Sequence, residues 1–294
     1  MWSTAAASSV IITCKGSIAP RLGLFLLIMG LFGAIFTGYF SLRGSTWSLF
    51  GAEQQIKTVD ELQIQFQLDT KQGAPASSIT DFRFYLHSLK LRTLDGLEIQ
   101  VQLNRAEKSN NVAMVDLGNL NTFTLTGHVS SVSSHAQVSS LSFEVGVPFA
   151  LNHANPLLAE PPLDESAMFW VWQQGYKFIK LDVESPDSLN MSLHLGSAGC
   201  ESASALRAPE ISCRYPNRVL VELEISDIKN IRLIVNPWLL IRAMRNNNVN
   251  ICTGAANFTT TCATALERLG LNSTLGVCIN NCRAQGLFSV NVDA

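Results

Sequence analysis

The 294-residue sequence is poor in charge, and it lacks the short motifs that mark the common enzyme classes. Only 15% of its residues are charged, against about a quarter in an ordinary soluble domain. The 21 basic and 23 acidic residues nearly balance, so the charge gives no indication of nucleic-acid binding. The sequence contains no GxSxG, HExxH, P-loop or GxGxxG, and no close carboxylate pair among aromatics. These absences favour a protein that is not an enzyme.

One long region lacks charge altogether, from Leu22 to Leu42, which reads LGLFLLIMGLFGAIFTGYFSL. As a helix rising about 1.5 Å per residue, this stretch is long enough to cross the ~30 Å hydrocarbon core of a bilayer. Lys15 and Arg21 precede it, and only Arg43 follows closely. The excess of positive charge on the N-terminal side predicts that this side stays in the cytoplasm and that the rest is exported.

The N-terminal helix fits either a retained signal anchor or a cleaved signal peptide. Its apolar stretch exceeds the about 7–15 residues of a signal peptide, and no clear A-x-A cleavage site follows, which favours an anchor. Met29 as an alternative start would give a shorter leader. We divide the chain into a cytoplasmic segment 1–21, the helix 22–42, a tether 43–57 and an exported domain 58–294.

Cysteine is missing between Cys14 and residue 200, and the six cysteines after that gap all lie in the C-terminal third: Cys200, Cys213, Cys252, Cys262, Cys278 and Cys282. An even number of cysteines in an exported region predicts disulfides. A zinc site is the alternative, but no CxxC pair and no nearby histidine support it. Pairing of neighbours, 200–213, 252–262 and 278–282, is the simplest connectivity, and the sequence leaves the others open.

Strand patterns dominate the exported domain, which has no βαβ rhythm and no internal repeat. ELQIQFQL alternates strictly, so its apolar residues between Leu62 and Leu68 share one face. DFRFYLHSLKL and LEIQVQL alternate too, and the LDG turn at residues 94–96 joins them as a predicted hairpin. Further predicted strands are VAMVDL, FTLTGHV, LSFEVGV, MFWVWQQ, GYKFIKLDV, LNMSLHL, VLVELEI, IRLIV and LFSVNV.

Two stretches depart from the strand pattern. Pro148 to Asp164 contains four prolines and is predicted to be a long ordered loop. Thr260 to Leu271 is typical of a short helix, with Gly270 near its end. The predicted fold is therefore an all-β, antiparallel sandwich with long loops, a short C-terminal helix and the N-terminal transmembrane or signal helix.

The segment from Gly146 to Phe178 combines the proline-rich loop with the aromatic run MFWVWQQ. As a strand, this run places Trp170 and Trp172 on one face, because alternate residues of a strand point the same way. Core packing is the usual role of such tryptophans. His153 lies in the loop, and neither residue type alone establishes a site.

Three motifs between residues 146 and 200 resemble those of the MbnP family, also called the metallo-mystery-pair four-Cys family: GVPFALNHANP, PLDESAMFWVWQQGYKFIKLD and LHLGSAGC. DFRFYLHSLKLRTLDG is similar to an early strand motif of the family, and Cys252 to Gly270 is similar to its second cysteine pair. The resemblance covers roughly residues 58–294, and MFWVWQ followed by GYKF is its most specific part. Cys278 and Cys282 are additional to the four-cysteine pattern.

The resemblance implies a periplasmic copper-binding protein. In that family a tryptophan is oxidised to kynurenine by a partner, a di-haem cytochrome c peroxidase-like protein. An indole N–H is a hydrogen-bond donor only, whereas kynurenine offers an amine and a ketone with lone pairs, so oxidation before metal binding makes chemical sense. Imidazoles supply nitrogen ligands suited to copper. With its helix uncleaved, the protein would be anchored to the inner membrane.

Matched to the family motifs, five side chains form the predicted copper site. Trp172 ranks slightly ahead of Trp170 as the oxidised residue. His153 matches the histidine of the loop motif, His194 matches that of LHLGS, and His87 in FYLHS is a third candidate.

Two other functions stay open. A structural or adhesive sandwich would keep both tryptophans in its core, and an exported hydrolase would need a site that no motif reveals. Met168 offers a soft thioether, but a core or loop methionine is the commoner role.

Overall fold

The computed structural model describes residues 59–71, 78–104, 111–118, 121–129, 137–185, 190–226, 228, 230–253 and 262–291. The predicted cytoplasmic segment, the apolar helix 22–42, the tether 43–57 and Cys14 lie outside these residues. Within the described ranges, no helix has both the length and the apolar character needed to span a membrane.

Strands account for most of the regular structure in the described ranges, and short helices lie in the connections. The strands are β1 (Val59–Leu68), β2 (Ser78–Thr93), β3 (Glu98–Leu103), β4 (Ala113–Asp116), β5 (Thr122–Val129), β6 (Val138–Val145), β7 (Lys177–Glu184), β8 (Met191–Gly196), β9 (Val219–Glu224), β10 (Ile231–Val235), β11 (Ile251–Thr253) and β12 (Phe288–Val290). The helices are α1 (Phe149–Asn152), α2 (Trp238–Asn246) and α3 (Ala263–Arg268), with 3-10 turns at Pro156–Leu158, Ser166–Met168 and Asn280–Cys282.

The strands form two layers that are joined along one side. One layer has the order β3-β5-β1-β10-β12, and the other has β11-β8-β7-β2-β6-β9, with β4 also on β2. Strand β3 pairs with β2 along one edge and with β5 along the other, so the sheet curls over itself there. Among the described strands, β1–β10 and β8–β11 are the parallel pairs, and the rest are antiparallel. The predicted β-sandwich is confirmed.

The main core lies between the layers and is built from alternate residues of the strands. The predicted apolar face of β1 is buried, and Phe66 is its centre. The Phe66 ring makes edge contacts with Phe84 of β2 and Phe143 of β6, at centroid distances of 5.7 and 6.1 Å. Phe288 of β12 contacts Phe84 and Phe143 in the same way, 5.3 Å from each. These four rings link one layer to the other.

A second apolar cluster covers the outer face of β2 and β7. The proline-rich loop lies over it, because the Tyr85 hydroxyl donates to the carbonyl of Pro162 (3.0 Å) and the Tyr176 hydroxyl to that of Leu163 (2.7 Å). Met168 is fully buried in this cluster and packs there as a core residue. The complete set of buried members is Tyr85, Val112, Val147, Met168, Tyr176 and Phe178.

Several local predictions are confirmed. Strands β2 and β3 form the expected hairpin, with Gly96 at φ +88° in its turn. Helix α3 lies inside the predicted helical stretch 260–271. The disulfides join neighbours, 200–213, 252–262 and 278–282. Helix α2 and strand β11 are not among the predicted elements, although Pro237 at the start of α2 is a residue type common at helix starts.

The aromatic run MFWVWQQ is a turn, and its prediction as a strand is wrong. Phe169 pairs with Tyr176 as an isolated bridge, and the chain reverses between them. The Trp170 N–H donates to the carbonyl of Gly175, and the Gly175 N–H donates to that of Val171. Gly175 has φ +76°, a conformation that glycine adopts without strain. The aromatic composition favoured a strand, but this glycine permits the reversal.

The turn at residues 170–175 is packed against the last residue of α1. A Cβ added to Gly175 would lie 2.5 Å from the side chain and the carbonyl oxygen of Asn152. The Asn152 Oδ1 also accepts a hydrogen bond of 2.8 Å from the Tyr176 N–H. Helix α1 and the turn therefore interlock at a point where only glycine fits.

We expect Gly175→Ala to destabilise the protein by about 2–5 kcal/mol, from the strain of a positive φ together with the clash at Asn152. Gly96→Ala is the matched control, because Gly96 also has a positive φ but an added Cβ meets nothing within 4 Å. The control should lose only about 1–2 kcal/mol. Urea unfolding followed by tryptophan fluorescence measures both, and equal losses would contradict the interlock.

Candidate functional site

His153 and Trp172 are hydrogen-bonded to each other's backbone. The indole N–H of Trp172 donates to the carbonyl of His153 over 2.8 Å, and His153 Nδ1 donates to the carbonyl of Trp172 over 3.2 Å. Helix α1 places His153 at its C-terminal end, and the turn places Trp172. Two reciprocal bonds therefore join the proline-rich loop to the turn.

The second ring nitrogen of His153 faces a disulfide. Nε2 accepts a hydrogen bond of 3.0 Å from Asn152 Nδ2 and lies 3.4 Å from Cys213 Sγ, which is bonded to Cys200. Burial lowers the pKa of His153, so the imidazole is neutral at pH 7. The His153, Cys200 and Cys213 donor atoms all lie within 4.8 Å of one another, and each of the three residues is buried.

His194 is held by a carboxylate on the neighbouring strand. Its Nε2 lies 2.9 Å from Asp182 Oδ1, and the two residues project outward from β8 and β7. Burial opposes ionisation of Asp182, but hydrogen bonds from His194 and Ser192 and the charge of Lys180 lower its pKa to about 2. An ionised carboxylate only accepts, so Nε2 carries the hydrogen. In the neutral ring, the lone pair is then on Nδ1.

A row of alternating charges continues from Asp182 across the sheet. Lys180 contacts Asp182 at 3.5 Å and also pairs with Asp81 of β2. Arg83 pairs with Asp81 and lies 3.6 Å from Glu165 in the loop. Burial opposes the ionisation of Asp81, but the bonds from Arg83 and Lys180 hold its pKa below the usual value. The row links β7, β2 and the loop on one side of His194.

The Trp170 ring packs over β8, the strand that carries His194. A Cβ added to Gly196 would be 2.5 Å from Cζ3 of the Trp170 ring, so the ring lies directly over this glycine. Gly196 follows His194 by two residues in β8, and alternate residues share a face. Lys177 Nζ is 5.9 Å from the centroid of the same ring and donates to the carbonyl of Ala167.

His87 occupies a third environment, on β2 beside β6. Its Nδ1 is 2.8 Å from Ser88 Oγ, and its Nε2 is buried without a hydrogen bond, 3.6 Å from Glu144 Oε2. Burial, with the charge of Arg218, lowers the pKa of His87 to about 4. In the described part of the chain, no contact joins His87 to either tryptophan.

The five predicted ligands thus fall into three groups instead of one. Trp172 is paired with His153 and Trp170 with the strand of His194, while His87 contacts neither. Sequence reasoning missed Asp182 and Asn152, which hold the two imidazoles. Alternation in β7 already put Asp182 on its polar face, but the register that sets it beside His194 cannot be derived from one strand.

The histidines differ in what they offer to a metal. Both ring nitrogens of His153 are engaged, by Trp172 and Asn152. His194 resembles a ligand held by a carboxylate, an arrangement that orients many metal-binding imidazoles. An intact indole, by contrast, has no lone pair to give. His194 therefore offers a nitrogen lone pair to a metal, and the intact indole of Trp170 offers none.

Comparisons with known proteins agree with the fold and the motifs. The solved structure of MbnP from Methylosinus trichosporium is similar, with a TM-score of 0.65 and 23% sequence identity, covering 81% of this chain and 100% of that chain. At this identity the likeness shows the fold. No curated protein matches. The family model described as MbnP matches residues 54–260, which ends before α3 and the last disulfide. Because this match spans well over half of the sequence, the chain belongs to the MbnP family.

Proposed function

We propose that the protein binds copper at the outer face of β8, through His194 and a kynurenine formed from Trp170. The observation that carries this proposal is the position of the Trp170 ring over Gly196, two residues from His194. Two residues of a strand span about 6.7 Å, so both side chains reach one ion between them. His194 would supply Nδ1, and Asp182 would orient the ring.

Oxidation converts the donor-only indole into a ligand. Opening of the pyrrole ring removes four electrons and adds two oxygen atoms, which reduces two equivalents of hydrogen peroxide to water. Hydrolysis of the N-formylkynurenine then releases formate and leaves an aryl amine and a ketone. The protein is the substrate of this reaction and not its catalyst. The oxidant enters through a partner, a di-haem cytochrome c peroxidase-like protein.

Trp170 is a better candidate than Trp172 on structural grounds. The indole N–H of Trp172 is bonded to the carbonyl of His153 and helps to hold the turn. Opening its pyrrole ring would change that bond. Among the described residues, the indole N–H of Trp170 has no such partner, and its ring is half-buried beside a surface strand. This reverses the order that the motifs alone suggested.

The periplasm is the compartment that suits this function. Three disulfides are typical of an exported protein. The uncharged stretch 22–42 supplies the export signal, and when uncleaved it tethers the domain to the inner membrane. The protein then serves in copper handling outside the cytoplasm.

We expect His194→Ala to lower copper affinity by more than about 10–100-fold, the loss typical of residues that only orient a ligand. His128→Ala is the control, because His128 is an exposed histidine of β5. Copper titration of the protein co-expressed with its peroxidase measures both variants. Unchanged affinity in His194→Ala would place the copper at other residues, and a protein that binds no copper would be a structural sandwich instead.

We expect mass spectrometry of the co-expressed protein to find Trp170 with one oxygen more and one carbon fewer than tryptophan. Trp170→Phe should abolish this modification and copper binding, whereas Trp172→Phe should retain both. If the peptide that contains Trp172 carries this modification instead, the copper site would be at Trp172 and His153.

Asp182→Asn should weaken copper binding about 10–100-fold, because an amide no longer fixes the hydrogen on Nε2 of His194. The nearby Glu184→Gln is the control, since Glu184 lies at the exposed end of β7. An Asp182→Asn protein with unchanged affinity would show that the carboxylate does not orient the ligand.

A further inference from the structure

We propose a second metal site, opened by reduction, in which His153 and the thiolates of Cys200 and Cys213 bind a thiophilic d¹⁰ cation, Zn²⁺ or Cu⁺. It uses the histidine that the copper proposal leaves aside. The three donor atoms already lie within 4.8 Å of one another and are buried. One imidazole and two thiolates are a ligand set that both ions favour.

The spacing of the donors fits a tetrahedral ion. Bonds of about 2.0 Å to nitrogen and about 2.3 Å to sulfur place the two donors roughly 3.6 Å apart. His153 Nε2 is 3.4 Å from Cys213 Sγ in the disulfide form. The two sulfurs can separate once their bond is broken, and Cys200 Sγ lies within 4.8 Å of the His153 donor nitrogen.

The lone pair of His153 is on the correct nitrogen. Nδ1 donates its hydrogen to the carbonyl of Trp172, so Nε2 is the acceptor and faces the sulfurs. A ligating imidazole commonly donates its other N–H to a carbonyl in this way. Asn152 Nδ2, which now bonds Nε2, has a second acceptor in the carbonyl of Gln174 at 3.5 Å. It can release Nε2 without losing every partner.

The backbone keeps the two cysteines together when the disulfide is open. Ala198 and Tyr215 exchange two hydrogen bonds, and the Arg214 N–H donates to the carbonyl of Gly199. These bonds flank Cys200 and Cys213, whose Cα atoms are 4.1 Å apart. The reduced pair is therefore preorganised beside His153.

Opening the site requires a dithiol reductant of the thioredoxin class. The disulfide accepts two electrons and two protons and becomes two thiols, while the dithiol is oxidised to its own disulfide. Metal binding then releases the two thiol protons. The other two disulfides serve as internal controls, since in the described residues no histidine donor joins their cysteines in such a group.

The test uses the full chain with Co²⁺ as the probe, because thiolate–cobalt charge-transfer absorption reports sulfur ligation. The disulfide-intact protein should show no such band. After reduction by a phosphine, which leaves thiols free, one equivalent of Co²⁺ should produce the band, and Zn²⁺ should displace it.

Three variants assign the band. Cys200→Ser with Cys213→Ser should abolish it, and Cys278→Ser with Cys282→Ser should leave it unchanged. His153→Gln should weaken Zn²⁺ binding at least about 10-fold, because residues that merely orient a ligand already contribute this much to metal affinity. X-ray absorption of the zinc-loaded wild type supplies the ligand count if His153→Gln does not fold, and two sulfurs with at least one nitrogen are expected.

Two results would overturn the proposal: a reduced wild type without the band, or a band that survives in the Cys200→Ser/Cys213→Ser protein. Neither result bears on copper at β8. His194→Ala should lose copper there while keeping the reduction-dependent band, so the two proposals fail separately.

Discussion

The close approach of Gly175 to Asn152 holds the turn that carries Trp170 and Trp172 against helix α1. Asn152 occupies the space that a side chain at residue 175 would need, and its amide binds both Tyr176 and His153. The turn therefore has one position relative to α1. Trp170 at one end of the turn and Trp172 near its middle take their places from this single contact.

The indole rings of the two tryptophans have different roles. Trp172 uses its indole N–H as a structural donor to the loop, while Trp170 presents its ring to the surface of β8. Each lies beside a histidine whose tautomer is set by an oxygen acceptor, a carbonyl for His153 and a carboxylate for His194. The neutral carbonyl of Trp172 holds the His153 ring next to the sulfur of Cys213. The charged carboxylate of Asp182 holds the His194 ring on the strand over which the Trp170 ring lies.

Much of the fold was predictable, because the alternation of apolar and polar residues in strands such as β1 shows which face of the strand is buried. The hairpin at Gly96 also follows from local sequence, and the disulfides have the simplest of the pairings that the sequence left open. The grouping of the predicted ligands could not be derived from local sequence. It depends on the register between β7 and β8, on a reversal inside an aromatic run and on a glycine contact 23 residues from its partner. These are long-range features, and no single strand pattern contains them.

Strand β2 pairs with four others, with β7 and β4 along its first part and with β6 and β3 further on. It sends Phe84 into the main core, Tyr85 into the outer cluster and Arg83 into the row of charges. Each of the three regions would lose a packing or charge partner if β2 left its place. We therefore expect the sandwich and the outer surface of β7 and β8 to unfold as one cooperative unit, in which the amide hydrogens along β2 exchange with solvent last.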